Sequence, residues 1–321
     1  MIYKIISNGK DITESIHNRL IEMSITDQQG DESDSFTISL DNSKQPQIPL
    51  PATGTTLDVY LDGIFKGSFE VDELTEPVHE QWFSVHAKSA KIKEAFKAPR
   101  DETYDDITLG DLLNIVAGRH GFEPVISEEL AAVSYPHIDQ VAESDMNLLS
   151  RLARDQDAMS KPVANRLVIV KRDQAKSVKG QDLPSFVIDD PQNSTGTITH
   201  KERTNYQSVK AYWFDEALQQ RFDEIAGTDE PQYVIKFRYD DAEKAQTKAD
   251  AKLRDLQRGN KTLDLTRPLT PGLVAEAKVT ISNHKPTINT DWIAGTVEHR
   301  ITADNYNATT LKLHLPKINS N

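Results

Sequence analysis

Two carboxylates, Glu143 and Asp145, stand on either side of Ser144 in the run HIDQVAESDMNLLSRLARD. Acids this close can divide the work of general acid and general base. They also sit where a helix begins: Ser144 has the side chain of an N-cap, and acids in a first turn offset the positive end of the helix dipole. The structural reading is the stronger one for this pair. His137 and Gln140, just upstream, read as a polar contact that holds the linker in front of the helix. None of the nine histidines forms the i,i+4 pair with a glutamate that zinc sites use, and there is no glycine-rich phosphate loop, dinucleotide fingerprint or nucleophile elbow. The acidic run DQQGDESD, 27–34, lacks the full calcium-loop spacing and reads as a solvated connector. Aromatic and basic residues are not interleaved as a single-strand binding platform requires. The expectation is a protein with no catalytic residue, no cofactor and no metal.

The elements around these residues are clearer than their chemistry. Thr108 is placed to cap a first helix, with Asp111 positioned to answer it. Leu109, Leu112, Leu113, Val116 and Ala117 follow at helical spacing, and Gly121 supplies the stop. A linker ending in Tyr135-Pro136 leads to the second helix, with Met146, Leu149, Leu152 and Ala153 on one side. This acidic helical α/β insert, 96–185, divides two β-rich parts.

Before it, 1–95 alternates apolar and polar residues at the period of half-buried strands, as at Ile21, Met23, Ile25 and at Phe36, Ile38, Leu40. The proline-rich run 46–54 is expected to follow an edge, and Asp62-Gly63 to turn a hairpin. After the insert, 186–321 carries strands at 209–214, 233–237, 277–281, 292–297 and 310–315. A long helix at 240–258 lays a narrow stripe of Ala242, Ala245, Ala249, Leu253 and Leu256 on a sheet. Its Lys244, Lys248 and Lys252 are expected to be solvated, and Asp240–Lys244 and Asp250–Arg254 to pair at i,i+4. Trp82, Trp213 and Trp292 are expected to be largely buried.

Charge narrows the partners. The chain has 321 residues and a net charge of −13. Between Asp101 and Ser150, eleven acids face one base, Arg119. Nucleic-acid affinity rests on Lys and Arg displacing counterions, so no stable nucleic-acid binding is expected. The chain lacks cysteine, a signal-peptide core and any apolar run of membrane-span length, so the expectation is a cytoplasmic product with no membrane anchor and no disulfide.

A short echo links the two β regions: Gly67-Ser68-Phe69-Glu70-Val71 and Gly295-Thr296-Val297-Glu298-His299. Each pattern is a glycine where a strand starts close to a neighbouring backbone, then inward-facing residues at period two: Phe69 and Val71, Val297 and His299. Two similar small barrels or sandwiches, one at each end, fit it.

The insert resembles the centre of the phage late control D family, the tail or baseplate hub proteins of contractile-tailed phages, which are related to the hub part of type VI secretion spike proteins. The residues that carry the resemblance are Thr108, Leu109, Gly110, Arg119, His120, Gly121, Gln140, Glu143, Ser144, Asp145, Leu149 and Leu152, joined by Pro271-Gly272, 292–295, Val297 and His299. The chain departs from the family at Asp157-Ala158-Met159-Ser160, where a glycine in a shorter turn is usual.

The resemblance implies a β-rich α+β fold, with two related β-barrel tube domains flanking the insert and the long surface helix in the second. It implies a homotrimer whose six barrels form a ring between a hexameric tail tube and a trimeric spike, among other baseplate proteins of a virion tail assembled in the bacterial host cytoplasm. Because the chain stops soon after Leu315, the spike is expected to be a separate protein. An acidic bore would repel passing DNA. The competing expectations are a tail-associated cell-wall hydrolase and a carbohydrate-binding β module. The first requires a positioned acid in a cleft, the second exposed tryptophans grouped together.

Overall fold

Alternating burial along short strands builds both ends of the chain. The computed structural model describes residues 2–30, 33–89, 94–163, 166–172, 184–201, 206–258 and 260–316. The first part contains β1 (Tyr3–Ser7), β2 (Lys10–Asp11), α1 (Thr13–His17), β3 (Leu20–Gln28), β4 (Ser35–Asp41), β5 (Thr56–Leu61), β6 (Ile64–Thr75) and β7 (Trp82–Ser89). Phe36, Ile38, Leu40, Leu57, Val59 and Leu61 turn to one side of β4 and β5 and pack with Phe69 and Phe83. Asp62 and Gly63 both have positive φ, +47° and +79°, as a tight hairpin demands. No strand forms at 46–54, although at its end the Gly54 N–H bonds to the Val71 carbonyl of β6.

The insert comprises α2 (Glu94–Lys97), β8 (Pro99–Thr108), α3 (Leu109–His120), β9 (Glu123–Ile126), α4 (Glu128–Ala131), β10 (Ser134–Ser144), α5 (Asp145–Asp155), β11 (Ala158–Val163) and β12 (Arg166–Lys171). Both helices start and stop for local reasons. Thr108 Oγ1 accepts from the Asp111 N–H, Gly121 ends α3 in the left-handed region, and Ser144 Oγ accepts from the Asn147 N–H. The apolar faces of α3 and α5 share a core with Leu167 and Ile169 of β12. The expected linker is structured: it forms β9 and α4, and Tyr135-Pro136 lies inside β10, paired antiparallel with β8. Neither strand of this pair has a fully apolar face, which is why its pattern does not stand out in the sequence.

The last part holds β13 (Phe186–Ile188), β14 (Thr195–His200), β15 (Ser208–Asp215), β16 (Gln220–Gly227), β17 (Gln232–Tyr239), α6 (Ala242–Arg258), β18 (Lys261–Pro268), β19 (Lys278–Ile281), β20 (Asp291–Thr302) and β21 (Asn307–His314). The segment between the strands at 209–214 and 233–237 is not a loop but β16, so that β15 lies between β16 and β17. The long helix belongs to this separate sheet: Ala245 and Ala249 pack on Val209, Ala211 and Ala226 as a core of their own.

The remaining strands join one large sheet, in the order β14-β18-β21-β20-β3-β4-β7-β6-β5-β1-β2, with β13 on β19 and β19 on β20. The two ends of the chain use the same plan. In the first, neighbours run β1-β5-β6-β7-β4-β3; in the second, β13-β19-β20-β21-β18-β14. Numbered along the chain, these are the same order of six strands. They differ in that β1 is antiparallel to β5 whereas β13 is parallel to β19. The unit of β15–β17 and α6 falls between β14 and β18 and has no counterpart in the first set. The sets are welded by an antiparallel β3–β20 pairing that runs from Thr296 opposite Gln28 to Thr302 opposite Glu22. The fold is thus β-rich with few helices.

Candidate functional site: a polar seam and a buried ionic core

The echo glycines lie on corresponding strands, β6 and β20, though not at their starts. Each sits several residues inside its strand, at a break in register. Opposite β5, Val59 faces Gly67 and Tyr60 faces Phe65, which leaves Lys66 as the extra residue. Opposite β21, Ala294 faces Leu313 and Thr296 faces Lys312, which leaves Gly295. Bulges of this kind re-aim a side chain or a backbone group. Phe69 and Val71, and likewise Val297 and His299, are buried after them.

Both bulges feed the weld between the two sets. Lys66 Nζ donates to the carbonyls of Pro271 and Leu273, at 3.0 and 3.1 Å, in the loop before β19. The Gly295 carbonyl accepts from the Gln29 N–H at 2.8 Å. Asp27, on β3, accepts from the Ala275 N–H at 2.8 Å. The insert reaches the same place through Lys161 of β11, whose Nζ donates to the Gln28 carbonyl at 2.6 Å and to Asp34 Oδ1 at 2.7 Å. Burial and the neighbouring Asp34 push the Asp27 carboxyl above the usual range, against the opposing pull of Lys161. Burial pushes Lys66 down. The described residues of the run 27–34 are therefore no solvated connector, since Asp27, Gln28, Gln29 and Asp34 hold parts of the chain together.

His299 lies beside this seam, 1% exposed. Its Nε2 faces the Leu273 carbonyl at 3.2 Å and its Nδ1 faces Thr309 Oγ1 at 3.0 Å. A carbonyl only accepts, so Nε2 carries the proton and Nδ1 accepts from the threonine, as in a neutral ring. Burial and the nearby Lys66 charge push its pKa down to about 3.

The second cluster is built around Asp145, which is fully buried. Arg119 Nη1 donates to both of its carboxylate oxygens at 2.9 Å, His120 Nε2 to Oδ2 at 2.7 Å, and Gln140 Nε2 to Oδ1 at 3.0 Å. Arg100 Nε lies 3.3 Å from Oδ2. Burial raises the Asp145 pKa, but the hydrogen bonds from Gln140, His120 and Arg119 outweigh it and hold the carboxyl below its usual range. Glu102 of β8 takes the other arm of Arg119 at 2.6 Å.

Asp145 therefore does more than face a helix dipole: it neutralises the half-buried guanidinium of Arg119. Glu143 turns away to pair with Arg151 at 2.7 Å, so the two acids form no catalytic pair. Gln140 is buried as expected, whereas His137 is exposed between Asp105 and Asp139. Leu109 is fully buried, and at Gly110 an added Cβ would meet the Ala131 side chain at 3.0 Å, so the close approach of α3 and α4 needs that glycine. Arg100 and Glu102 were not legible as members because β8 reads only as acidic and polar.

A third link ties the insert to α6. Asp157, at the start of the stretch 157–160, has a φ of +51°. It pairs with Arg254 at 2.6 Å and Arg258 at 2.5 Å. Lys248 pairs with Asp155 and Arg254 with Asp157, so at these two positions the expected solvated row and the Asp250–Arg254 pair give way to contacts with the insert, while Lys244 does pair with Asp240 and Lys252 pairs with Asp255. A cleft of about 610 Å³ opens beside this link, and its Asp155 and Asp240 are paired with Lys248 and Lys244 and its Asp139 with His137. Trp292 is fully buried, while Trp82 and Trp213 are half-buried with their N–H groups on Glu80 and Glu224. Among the described residues no group of three His, Asp or Glu could hold a metal, and no helix is long and apolar enough to cross a membrane.

The overall fold is similar to that of solved phage tail proteins. The 43 kDa tail protein of prophage MuSo2 from Shewanella oneidensis shares the fold with a TM-score of 0.74, at 13% identity and over 98% of both chains. The E. coli c3393 protein, a type VI secretion component with structural similarity to the T4 tail proteins gp27 and gp5, shares it with a TM-score of 0.59, at 9% identity over 94% of this chain and 74% of that one.

Residues 97–305 match the phage tail baseplate hub (GPD) family, and the chain belongs to it. The probable baseplate hub protein of Escherichia phage P2 is 30% identical over 216 residues, 66% of this chain and 56% of the relative. The chain spans just over half the length of the curated relatives it matches. Their description is that of a structural component, not an enzyme.

Proposed function

We propose that this chain is a structural hub of a contractile phage or phage-like tail, acting as an adaptor of symmetry in the baseplate. Three copies form a ring of six related β units that meets a hexameric tail tube on one side and a trimeric spike on the other. The observation that carries this reading is the repeated order of six strands at the two ends of the chain. Three chains with two like units each present six like surfaces, while retaining the threefold symmetry that a trimeric spike needs. The β3–β20 weld and the Asp27 and Lys66 links fix the angle between the two units of a chain, as an adaptor requires, and Lys161 ties the insert to the same seam. The ring belongs in the virion tail, assembled in the bacterial host cytoplasm, and its acidic surface disfavours retention of DNA.

Native mass measurement together with imaging of particles assembled with tube and spike proteins tests this. The expected species has three times the 36.0 kDa of the chain and sixfold features on one face. A chain that enters such particles as a monomer, or as a ring of another number, overturns the reading.

A further inference from the structure

The repeated strand order makes one edge conspicuous. β3 and β14 hold the same place in their sets, yet β3 is flanked on both sides, by β4 and β20, while β14 has only β18. Among the described residues nothing pairs with its outer edge. That edge reads Thr-Gly-Thr-Ile-Thr-His, with no acid, lysine, proline or bulge, and all but Ile198 are exposed. Soluble proteins usually blunt such an edge, because a row of unpaired N–H and C=O groups is a template for another strand. Lys201 N–H bonds to the Asn260 carbonyl, in register with the β14–β18 ladder. The alternation of an antiparallel pair therefore turns the backbone groups of Gly196, Ile198 and His200 outward.

The chain also contains the complementary edge. β20 accepts β3 because β19 covers only its first residues, Asp291 to Ile293. In the first set, β6 corresponds to β20 and β5 to β19. The β5 side of β6 is bonded as far as Val71, which exchanges hydrogen bonds with Thr55 and Gly54. Beyond it, Asp72 is the extra residue of a bulge and 73–75 pair with β7 on one side and, among the described residues, with no strand on the other. Asp72 is paired with Lys88 of β7, but Glu73 leaves a negative charge on this stretch, which discourages two copies of it from pairing together and suits a strand without acids that ends in His200-Lys201.

We infer that β14 of one copy pairs antiparallel with the end of β6 in a second copy of this chain, so that the contact between copies repeats the β3–β20 weld within each chain. Such a contact is heterologous and head-to-tail, the kind that closes into a ring. The inference rests on the ring proposed above and adds which edges make it.

The absence of cysteine gives a direct test. Full-length Thr197→Cys and Glu73→Cys chains are mixed and treated with a bismaleimide of roughly 10 Å reach, which tolerates a register error of about two residues. The expected result is a cross-linked pair in the mixture and none in either variant alone. His200→Pro removes an outward donor without touching the β18 ladder, and is expected to weaken association at least tenfold with an unchanged circular dichroism spectrum. Cross-linking of Thr197→Cys with itself overturns the inference in favour of a symmetric β14 contact. Trimers that form without the mixed cross-link and are indifferent to His200→Pro overturn it while leaving the ring intact. Chains that stay monomeric at every concentration, and also in the presence of tube and spike, overturn both.

Discussion

Asp27 and Ala275 stand 248 residues apart and share a 2.8 Å hydrogen bond from backbone N–H to carboxylate. One acid thus joins the first strand set to the loop that opens the second half of the other. A second acid, Asp34, lies close enough to raise the Asp27 pKa, and Lys161 from the insert is the cation that opposes this rise. Three parts of the chain meet at one charge cluster.

Lys161→Met is therefore expected to destabilise the protein by about 3 kcal/mol at pH 7, because two partly buried carboxylates lose their counter-charge. In the variant the raised Asp27 carboxyl pKa rises further. A raised carboxyl contributes stability present below its unfolded value and lost as pH rises through the folded value, so the loss should shrink towards pH 4. Urea unfolding at pH 7 and pH 4 reads this. Equal losses at both would show that the lysine acts by packing alone.

Asp145 has the opposite sign. Its carboxyl is held below the usual range by Gln140, His120 and Arg119 in spite of burial. Its contribution is complete above the unfolded value near 4 and is lost as pH falls through the folded value. Asp145→Ala should cost roughly 3–5 kcal/mol at pH 7 by leaving Arg119 with Glu102 alone and taking the buried acceptor from His120 and Gln140, and should flatten the acid limb of the stability profile. If the variant keeps the wild-type slope between pH 4 and pH 2, another group governs that limb.

The parts of this architecture that a single sequence displays are those with local causes. Thr108, Asp111, Gly121 and Ser144 announce two helices because caps act over three or four residues. The alternation in β4 and β5 shows because one face is buried. β8, β10 and β16 stay hidden because water reaches much of both faces, leaving no period-two contrast. The charge clusters were out of reach for a different reason. Asp27, Lys66 and Lys161 become partners only through a weld between strands nearly the whole chain apart. The echo of Gly67 and Gly295 was the one trace of that weld in the sequence, and its glycines mark bulges rather than strand starts.

His299 should dominate the pH dependence between neutrality and pH 3. Its folded value of about 3 lies far below the ordinary histidine value of about 6.5. A lowered pKa contributes stability present above the unfolded value and lost as pH falls through the folded one, with a limiting slope of about 1.4 kcal/mol per pH unit for one proton. His137, exposed and raised by Asp105 and Asp139, works in the other direction. Subtracting the profile of His299→Asn from that of the parent protein isolates the term. A difference profile that is flat from pH 6.5 to pH 3 would mean that the ring is not buried neutral.

The two bulge glycines should differ in their tolerance of alanine. Gly67 has a φ of +147°, and a Cβ there would lie 3.1 Å from the Phe69 ring. Phe69 is itself 1% exposed and packs against Phe36, so it has little room to yield. Gly295 needs no positive φ; its Cβ would meet His314 Nδ1 and the Lys312 carbonyl at 3.3 Å, and the imidazole can turn by a few tenths of an ångström. Gly67→Ala is expected to lose about 1–3 kcal/mol from backbone strain before any crowding, and Gly295→Ala clearly less. Because Lys66 is the residue the first bulge re-aims, Gly67→Ala should also speed hydrogen exchange in the loop around Leu273, which Gly295→Ala should leave slower. Equal destabilisation by the two substitutions would show that the bulges are held by packing rather than by the backbone conformation that only glycine adopts freely.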